Sequence, residues 1–332
     1  MRVLITGSSG FIGHYVVNKF ACDENVTEVV GLERLSYSGN LNRISEILDG
    51  NYTKYRVVHH DLRSGINDAV SKSLGQFDYI VHIAASTHVD RSIEDPMSFV
   101  LDNVVATCNI LNFARSQTNL KKFIYFSTDE VFGPAPPGVL HDEYAPYNAG
   151  NPYSATKAGG EELCVAFRNT YKLPIIITHT MNVFGPRQHP EKYVPMCINK
   201  INKGEKIYIH ADSTKTIPGS RFYIHAEDVA DAIYFIIKNE LETEMDGYCP
   251  KFNIVGKEEV DNLTLAQYIA SSLNKSLDYE LVDFHSSRPG HDLRYALSGA
   301  RLAKAGWEPK ISIKDRINEV VHWSLENKRW LL

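Results

Sequence analysis

Cysteine is scarce and without pattern: five in 332 residues (Cys22, Cys108, Cys164, Cys197, Cys249), an odd number, far apart, with no CxxC pair. That argues against a disulfide framework or a zinc ribbon and fits reduced core residues. Positive charge is not in excess either. Thirty-five Lys and Arg face 40 Asp and Glu, for a net charge of −5, and the basic residues are scattered rather than striped. Nucleic acid is therefore not an expected partner. No low-complexity tract or internal repeat occurs, and no apolar run approaches the length of a membrane span. The first strand begins at Arg2, which leaves no room before it for a signal peptide, so a cytoplasmic protein without membrane contact is expected. His82, His88 and His291 lack metal-like spacing, so no metal is expected.

What is present is an ordinary globular composition, 43% hydrophobic and 23% charged, in a chain long enough for a large lobe and a smaller one. Through residue 180 strands alternate with helices: strands at 2–6, 26–31, 55–59, 79–83, 123–127 and 175–178, with helices at 11–20, 99–115 and 153–171. This order predicts an α/β, Rossmann-type doubly wound parallel sheet. After Gly185 the prolines Pro186, Pro190 and Pro195 break the pattern. A smaller mixed α/β substrate lobe is expected over 181–332, discontinuous, with some segments returning to the dinucleotide-binding domain of 1–180. Its expected helices lie near 196–203, 227–238, 263–273, 298–305 and 313–325, with a strand near Ile207.

The first strand runs straight into Gly7-Ser8-Ser9-Gly10-Phe11-Ile12-Gly13, a GxxGxxG turn opening a helix. Such glycines let backbone N–H groups approach a pyrophosphate at the helix N-terminus. Glu33 stands twenty residues beyond Gly13, where an acid accepts from the adenosine ribose and disfavours a 2′-phosphate. NAD is thus expected over NADP, although Arg34 beside it pulls the other way. Ligands of open parallel sheets collect at the carboxyl ends of the strands, and there the chain carries Asp61-Leu62, Ala84-Ala85-Ser86-Thr87-His88 and Thr128-Asp129-Glu130. Tyr153 and Lys157 are one helical turn apart; an ammonium beside a phenol lowers the phenol pKa and makes it a base. An alcohol oxidation needs only Thr128, Tyr153 and Lys157. Two adjacent carboxyl groups beyond that suggest an elimination, one as acid and one as base.

These residues resemble the extended short-chain dehydrogenase/reductases and, within them, the nucleotide-sugar 4,6-dehydratases of the dTDP-glucose type. The likeness covers nearly the whole chain: the glycine turn, Ser36-Tyr37-Ser38-Gly39-Asn40-Leu41, His88-Val89-Asp90-Arg91-Ser92, Thr128-Asp129-Glu130-Val131-Phe132-Gly133, the Tyr153/Lys157 pair, Pro190-Glu191-Lys192 and Arg288-Pro289-Gly290-His291-Asp292. The resemblance implies tightly bound NAD and a hydro-lyase acting on a nucleotide sugar. Tyr153, with Lys157, would deprotonate the 4-hydroxyl held by Thr128. Glu130 would then remove the C5 proton, and Asp129 would protonate the departing 6-hydroxyl. The product would be a 4-keto-6-deoxy sugar. The resemblance further assigns Ser86, His88, Asn182, Glu191, Lys192, Arg221, Arg288 and His291 to substrate. The two long helices near 99–115 and 153–171 are the expected homodimer surface.

Three departures from the family pattern bear on substrate. Ser86 stands at the usual Glu, Arg187 stands where bacterial dTDP enzymes carry Tyr, and the loop from Asp212 to Ser220 is long. They make UDP-glucose or UDP-N-acetylglucosamine as good a candidate as dTDP-glucose. Alternatives of other kinds are a 4,6-dehydratase that also epimerises C5, a 4-epimerase that leaves the two acids idle, and a non-catalytic dinucleotide sensor.

Overall fold

The computed structural model describes residues 1–241, 248–283 and 293–332. Seven parallel strands form the main sheet: β1 (Arg2–Thr6), β2 (Glu28–Glu33), β3 (Tyr55–His59), β4 (Tyr79–His82), β5 (Lys122–Thr128), β6 (Ile175–Thr180) and β7 (Lys251–Ile254), in the order β7-β6-β5-β4-β1-β2-β3. Runs such as Val3-Leu4-Ile5 and Ile175-Ile176-Ile177 are apolar at every position because both faces of the sheet are covered. Val3 pairs with Val29 on one side and Tyr79 on the other. The order reverses there, which opens a crevice beyond the carboxyl ends of β1 and β4.

One face is covered by the helices Gly13–Ala21 and Ala226–Lys238, which bring Val16, Phe20, Ile233 and Ile236 into one core. On the other face Ala106–Arg115 and Pro152–Tyr171 bury Ile110, Leu111, Cys164 and Phe167 against Phe123 and Tyr125. A separate core forms around Ile198, Ile209, Leu265, Ile269 and Val320, all from the segment after residue 180. In it the strand Ile207–Ala211 pairs in parallel with Tyr279–Asp283.

Several elements differ from the sequence reading. The second strand runs two residues later, so Glu33 lies inside it. The short helices Leu41–Ile47, Asp68–Leu74 and Val89–Glu94 had no expected counterpart; their apolar stripes are too brief to show a period. The helix expected at 99–115 begins at Pro96 and contains a π-helical segment, Val100–Val105. Contrary to the expectation about apolar runs, the helix Pro96–Arg115 is long enough to span a membrane and contains an 18-residue window of mean hydropathy 1.3, yet 50% of that window is buried inside this fold. It packs on the helix Pro152–Tyr171.

Behind the end of β5 lies a buried charge cluster. Glu161, fully buried, accepts from Ser127 Oγ (2.5 Å), Tyr147 Oη (2.6 Å) and Lys251 Nζ (3.2 Å) and meets His179 Nε2 at 3.1 Å. Burial alone would raise its pKa; His179, Lys251 and the Ser127 hydroxyl reverse that and bring it from 4.5 to about 2. A folded-state value below the unfolded one stabilises at high pH and is lost as pH falls through it. Glu161→Gln is expected to cost about 3–5 kcal/mol near neutral pH, because its partners stay buried and uncompensated. Urea unfolding of the variant against the parent checks this. The gap should narrow as pH falls below about 4.

Candidate active site

The glycine turn is shaped by close backbone approach. Gly7 has φ +70°, and a Cβ there would lie 2.9 Å from Ala84 Cα at the end of β4; a Cβ on Gly13 would lie 2.0 Å from the Gly7 carbonyl oxygen. The turn closes with Gly10 N donating to Gly7 O (3.0 Å). It leads into the helix N-terminus, so backbone amides face the cavity with the positive end of the helix dipole behind them. Gly13→Ala is expected to weaken dinucleotide binding by at least about 100-fold, since backbone rather than a movable side chain must give way. Calorimetric titration with NAD measures it.

A cavity of about 410 Å³ runs from this turn to the end of β5. Gly7, Gly10, Phe11, Ile12, Gly13, Glu33, Asp61, Leu62, Ala84, Ala85 and Ser86 line one part, and Thr128, Asp129, Glu130, Tyr153, Lys157, Asn182, Glu191 and Lys192 the other. His88 and Arg221 are not among the lining residues. His88 caps the helix Val89–Glu94, with Nδ1 accepting from Arg91 N at 3.5 Å. Arg221 donates to the Ser220 carbonyl (2.6 Å) and stacks on Tyr295 (4.7 Å). Arg288 and His291 lie outside the described residues. His82 is structural: buried between Thr6 Oγ1 (2.7 Å) and Thr107 Oγ1 (3.1 Å), with burial pushing its pKa down to about 3.

The end of β5 and the start of the helix Pro152–Tyr171 bring together the five side chains expected to be catalytic, Thr128, Asp129, Glu130, Tyr153 and Lys157. Asn151 caps that helix, accepting from Ser154 N (2.8 Å) while Ser154 Oγ accepts from Asn151 N (3.3 Å), and Pro152 occupies its first turn. The same Asn151 donates to Glu130 Oε2 (3.0 Å), so the cap also aims a carboxylate. Thr128 Oγ1 donates to Asp129 Oδ1 at 3.0 Å. Asp129 Oδ2 is buried with no hydrogen-bond partner among the described residues. Burial raises the Asp129 pKa to about 6 against the opposing pull of Arg221 and Thr128. A carboxyl group held this way stays protonated above the ordinary carboxylate range and keeps one oxygen without a partner among the described residues.

One expectation is reversed. Lys157 does not lower the phenol of Tyr153 in this structure. Its Nζ donates to the Phe126 carbonyl (2.6 Å) and sits over the Tyr125 ring (4.3 Å). Burial first, and then the charge of Glu130, hold the Tyr153 phenol well above its usual range. Burial likewise brings Lys157 down to about 8. Helical spacing put both groups on one face, but a four-carbon stem reaches the strand carbonyl more easily than a ring fixed against Phe99 and Val89.

The adenosine end holds residues that the sequence reading passed over or saw incompletely. Glu33 accepts from Ser8 Oγ and Ser9 N (both 2.7 Å) and from Ser9 Oγ (2.8 Å), so it buttresses the glycine turn as well as lining the cavity. Asp102, in the π-helical segment, gathers Arg34, Arg63 and Ser86. Asn103 beside it accepts from Ser86 N (2.8 Å). A π-bulge re-aims such side chains, and nothing in the residue order announces one. Two of the three departures bearing on substrate fall away from the cavity. Arg187 pairs with Glu46 (2.8 Å) over the Trp323 ring, and Asp212 closes its own loop by accepting from Thr216 N and Ile217 N; neither lines the cavity.

Comparison with known proteins places this geometry. The profile of the family described as GDP-mannose 4,6 dehydratase matches residues 4–320. A dTDP-glucose 4,6-dehydratase of Escherichia coli is 32% identical, covering 99% of this chain and 95% of that protein. One of Streptomyces niveus is 34% identical, covering 99% and 94%. Among solved structures, the dTDP-glucose 4,6-dehydratase DesIV of Streptomyces venezuelae, with NAD bound, has a TM-score of 0.86 at 30% identity, covering 99% of this chain and 98% of that one. A UDP-glucose 4-epimerase of Thermus thermophilus, complexed with NAD, has a TM-score of 0.82 at 25% identity, covering 97% and 98%. Dehydratases and epimerases therefore share this fold, and fold alone does not divide them. By full-length likeness and family profile together, the chain belongs to the nucleotide-sugar 4,6-dehydratases of the extended short-chain dehydrogenase/reductases.

Proposed function

We propose that the protein is an NAD-dependent hydro-lyase that converts a dTDP- or UDP-linked hexose to its 4-keto-6-deoxy derivative. The observation that carries this is Asp129, an acid raised to about 6 with a buried unpartnered oxygen, next to a second carboxylate that Asn151 orients. An epimerase has no use for such a pair. Tyr153, Thr128 and Lys157 complete the oxidation half of the site.

The residues fit the dinucleotide: a glycine cradle that tolerates no Cβ, an acid at the end of β2 and a cavity continuous to Tyr153. Gly7, Gly10, Gly13, Glu33, Asp61, Leu62, Ala84 and Ala85 would hold it. Bound NAD would supply a hydride acceptor and donor. Tyr153 takes the 4-hydroxyl proton, with Thr128 fixing that oxygen. Once C4 is a ketone the C5 hydrogen is acidic, and Glu130 removes it. Asp129 delivers its proton to the 6-oxygen, which leaves as water. Ser86, Asn182, Glu191 and Lys192 line the remainder of the cavity and are the candidates for sugar and diphosphate contacts.

dTDP-glucose is the first substrate to try, since Arg187 and the 212–220 loop stand away from the cavity wall. UDP-glucose and UDP-N-acetylglucosamine follow. Incubation with each, without added reductant, followed by mass spectrometry of the sugar nucleotide, should show loss of one water from one of them. Three unchanged masses would reject dehydration. The enzyme is further inferred to be a cytoplasmic homodimer, its cysteines all unpaired, paired through the helices of 96–115 and 152–171. Exposed Met97 and Val100 on the first of these support that face. Sedimentation of a single monomeric species would contradict the dimer.

A further inference from the structure

An arginine near the end of the second strand is what dinucleotide folds use to receive the 2′-phosphate of NADP. Arg34 occupies that position, yet its guanidinium is committed elsewhere. Nη1 and Nη2 donate to the two oxygens of Asp102 at 2.8 and 3.2 Å. Arg63 grips the same carboxylate through Nε and Nη2 at 2.6 and 3.0 Å. Ser86 Oγ adds a bond to Oδ2 at 2.7 Å. A carboxylate has about four lone-pair sites, so Asp102 is saturated, and it holds the Nη1/Nη2 edge of Arg34 and the Nε/Nη2 edge of Arg63.

The charges balance as well. Arg34 also lies 3.5 Å from Asp61, so two guanidinium groups face two carboxylates, and Glu33 adds a further negative charge beside them. Glu33, Arg34, Asp61, Ser86 and Asp102 line the same cavity, and Asp102 is itself buried. A dianionic phosphate arriving there meets no net positive charge, and the two arginine edges turned to Asp102 are not available to it.

We propose that Asp102 is a cofactor-specificity residue, which excludes NADP by locking Arg34 and Arg63 into a closed ion-pair cluster. This rests on the dinucleotide reading of the cavity. Glu33 alone is an insufficient discriminator, because its carboxylate already serves Ser8 and Ser9. The π-helical segment is what brings Asp102 to both arginines at once.

The test is calorimetric titration of the protein, stripped of bound nucleotide, with NAD and with NADP. In Asp102→Asn the ratio of the NADP to the NAD dissociation constant should fall at least about tenfold, the scale of one charged hydrogen bond made available to phosphate. Adding Arg34→Gln to that variant should restore the ratio. Arg34→Gln alone should leave NADP affinity within about twofold, since that fork is already occupied. An unchanged ratio in Asp102→Asn, or a tenfold loss of NADP affinity in Arg34→Gln alone, overturns the proposal. If the parent protein binds neither dinucleotide, the reading of the cavity fails first. NAD binding with an unaltered ratio refutes only the role of Asp102.

Discussion

Asp129→Asn is expected to lower dehydration by about 10²–10⁴-fold, the usual contribution of a positioned acid, while oxidation at C4 continues. Reduced nicotinamide should accumulate on the enzyme, visible by its absorbance, because the elimination that precedes hydride return is blocked. The basis is geometric before it is electrostatic: the residue lines the cavity, one oxygen takes the Thr128 hydroxyl, and the other is buried without a partner among the described residues. Since burial raises its pKa to about 6, the working acid form is present below that pH and is lost as pH rises through it. The parent enzyme should therefore show a falling alkaline limb in kcat/KM that begins near that value and is absent from the Asn variant. Glu130→Gln should also stall the reaction after oxidation, but without removing that limb. Turnover within threefold of the parent in both variants would contradict the assignment and favour an epimerase.

Tyr153→Phe is expected to stop the reaction one step earlier, with turnover down by about 10²–10⁴-fold and no reduced nicotinamide formed. The ring would keep its contacts with Phe99 and Val89, so the melting temperature should barely move. That separates lost chemistry from lost structure. The phenol is held high by burial and by Glu130, and Lys157, whose Nζ is tied to Phe126, does not offset this, so use of the phenol as a base would need positive charge brought by the dinucleotide. Lys157→Met should accordingly be the milder variant in chemistry and the more severe in dinucleotide affinity. Equal losses of turnover with unchanged affinity would refute that division. Transient absorbance with dTDP-glucose distinguishes all of these arrests.

Much of this is legible in the residue order alone. The glycine turn, the strand ends and the Asp129-Glu130 pair are local signals, each carried by neighbouring residues whose types suit few other roles. The six strands of the first 180 residues are legible for the same reason: continuous apolar runs bounded by breakers. What escapes the sequence is what depends on distance along the chain. The strand Lys251–Ile254 completes the sheet beside β6 only because the chain returns after the second lobe. Asp102 reads as one charge within an amphipathic helix until a π-helical segment turns it onto arginines from two other strand ends. Asn151 is visible as a cap, but its grip on Glu130 needs the fold. Lys157 is a case of another kind: periodicity locates the backbone of a long side chain, whereas its tip goes to the nearest unsatisfied carbonyl.

The most direct test is to follow hydrogen from C4. With dTDP-glucose deuterated at C4, an intramolecular dehydratase should give a product one water lighter that carries the deuterium at C6. Run instead with unlabelled substrate in deuterated water, it should take up solvent deuterium at C5. Deuterium retained at C4 in a product of unchanged mass would mean that Asp129 and Glu130 are idle and that the enzyme only inverts a hydroxyl.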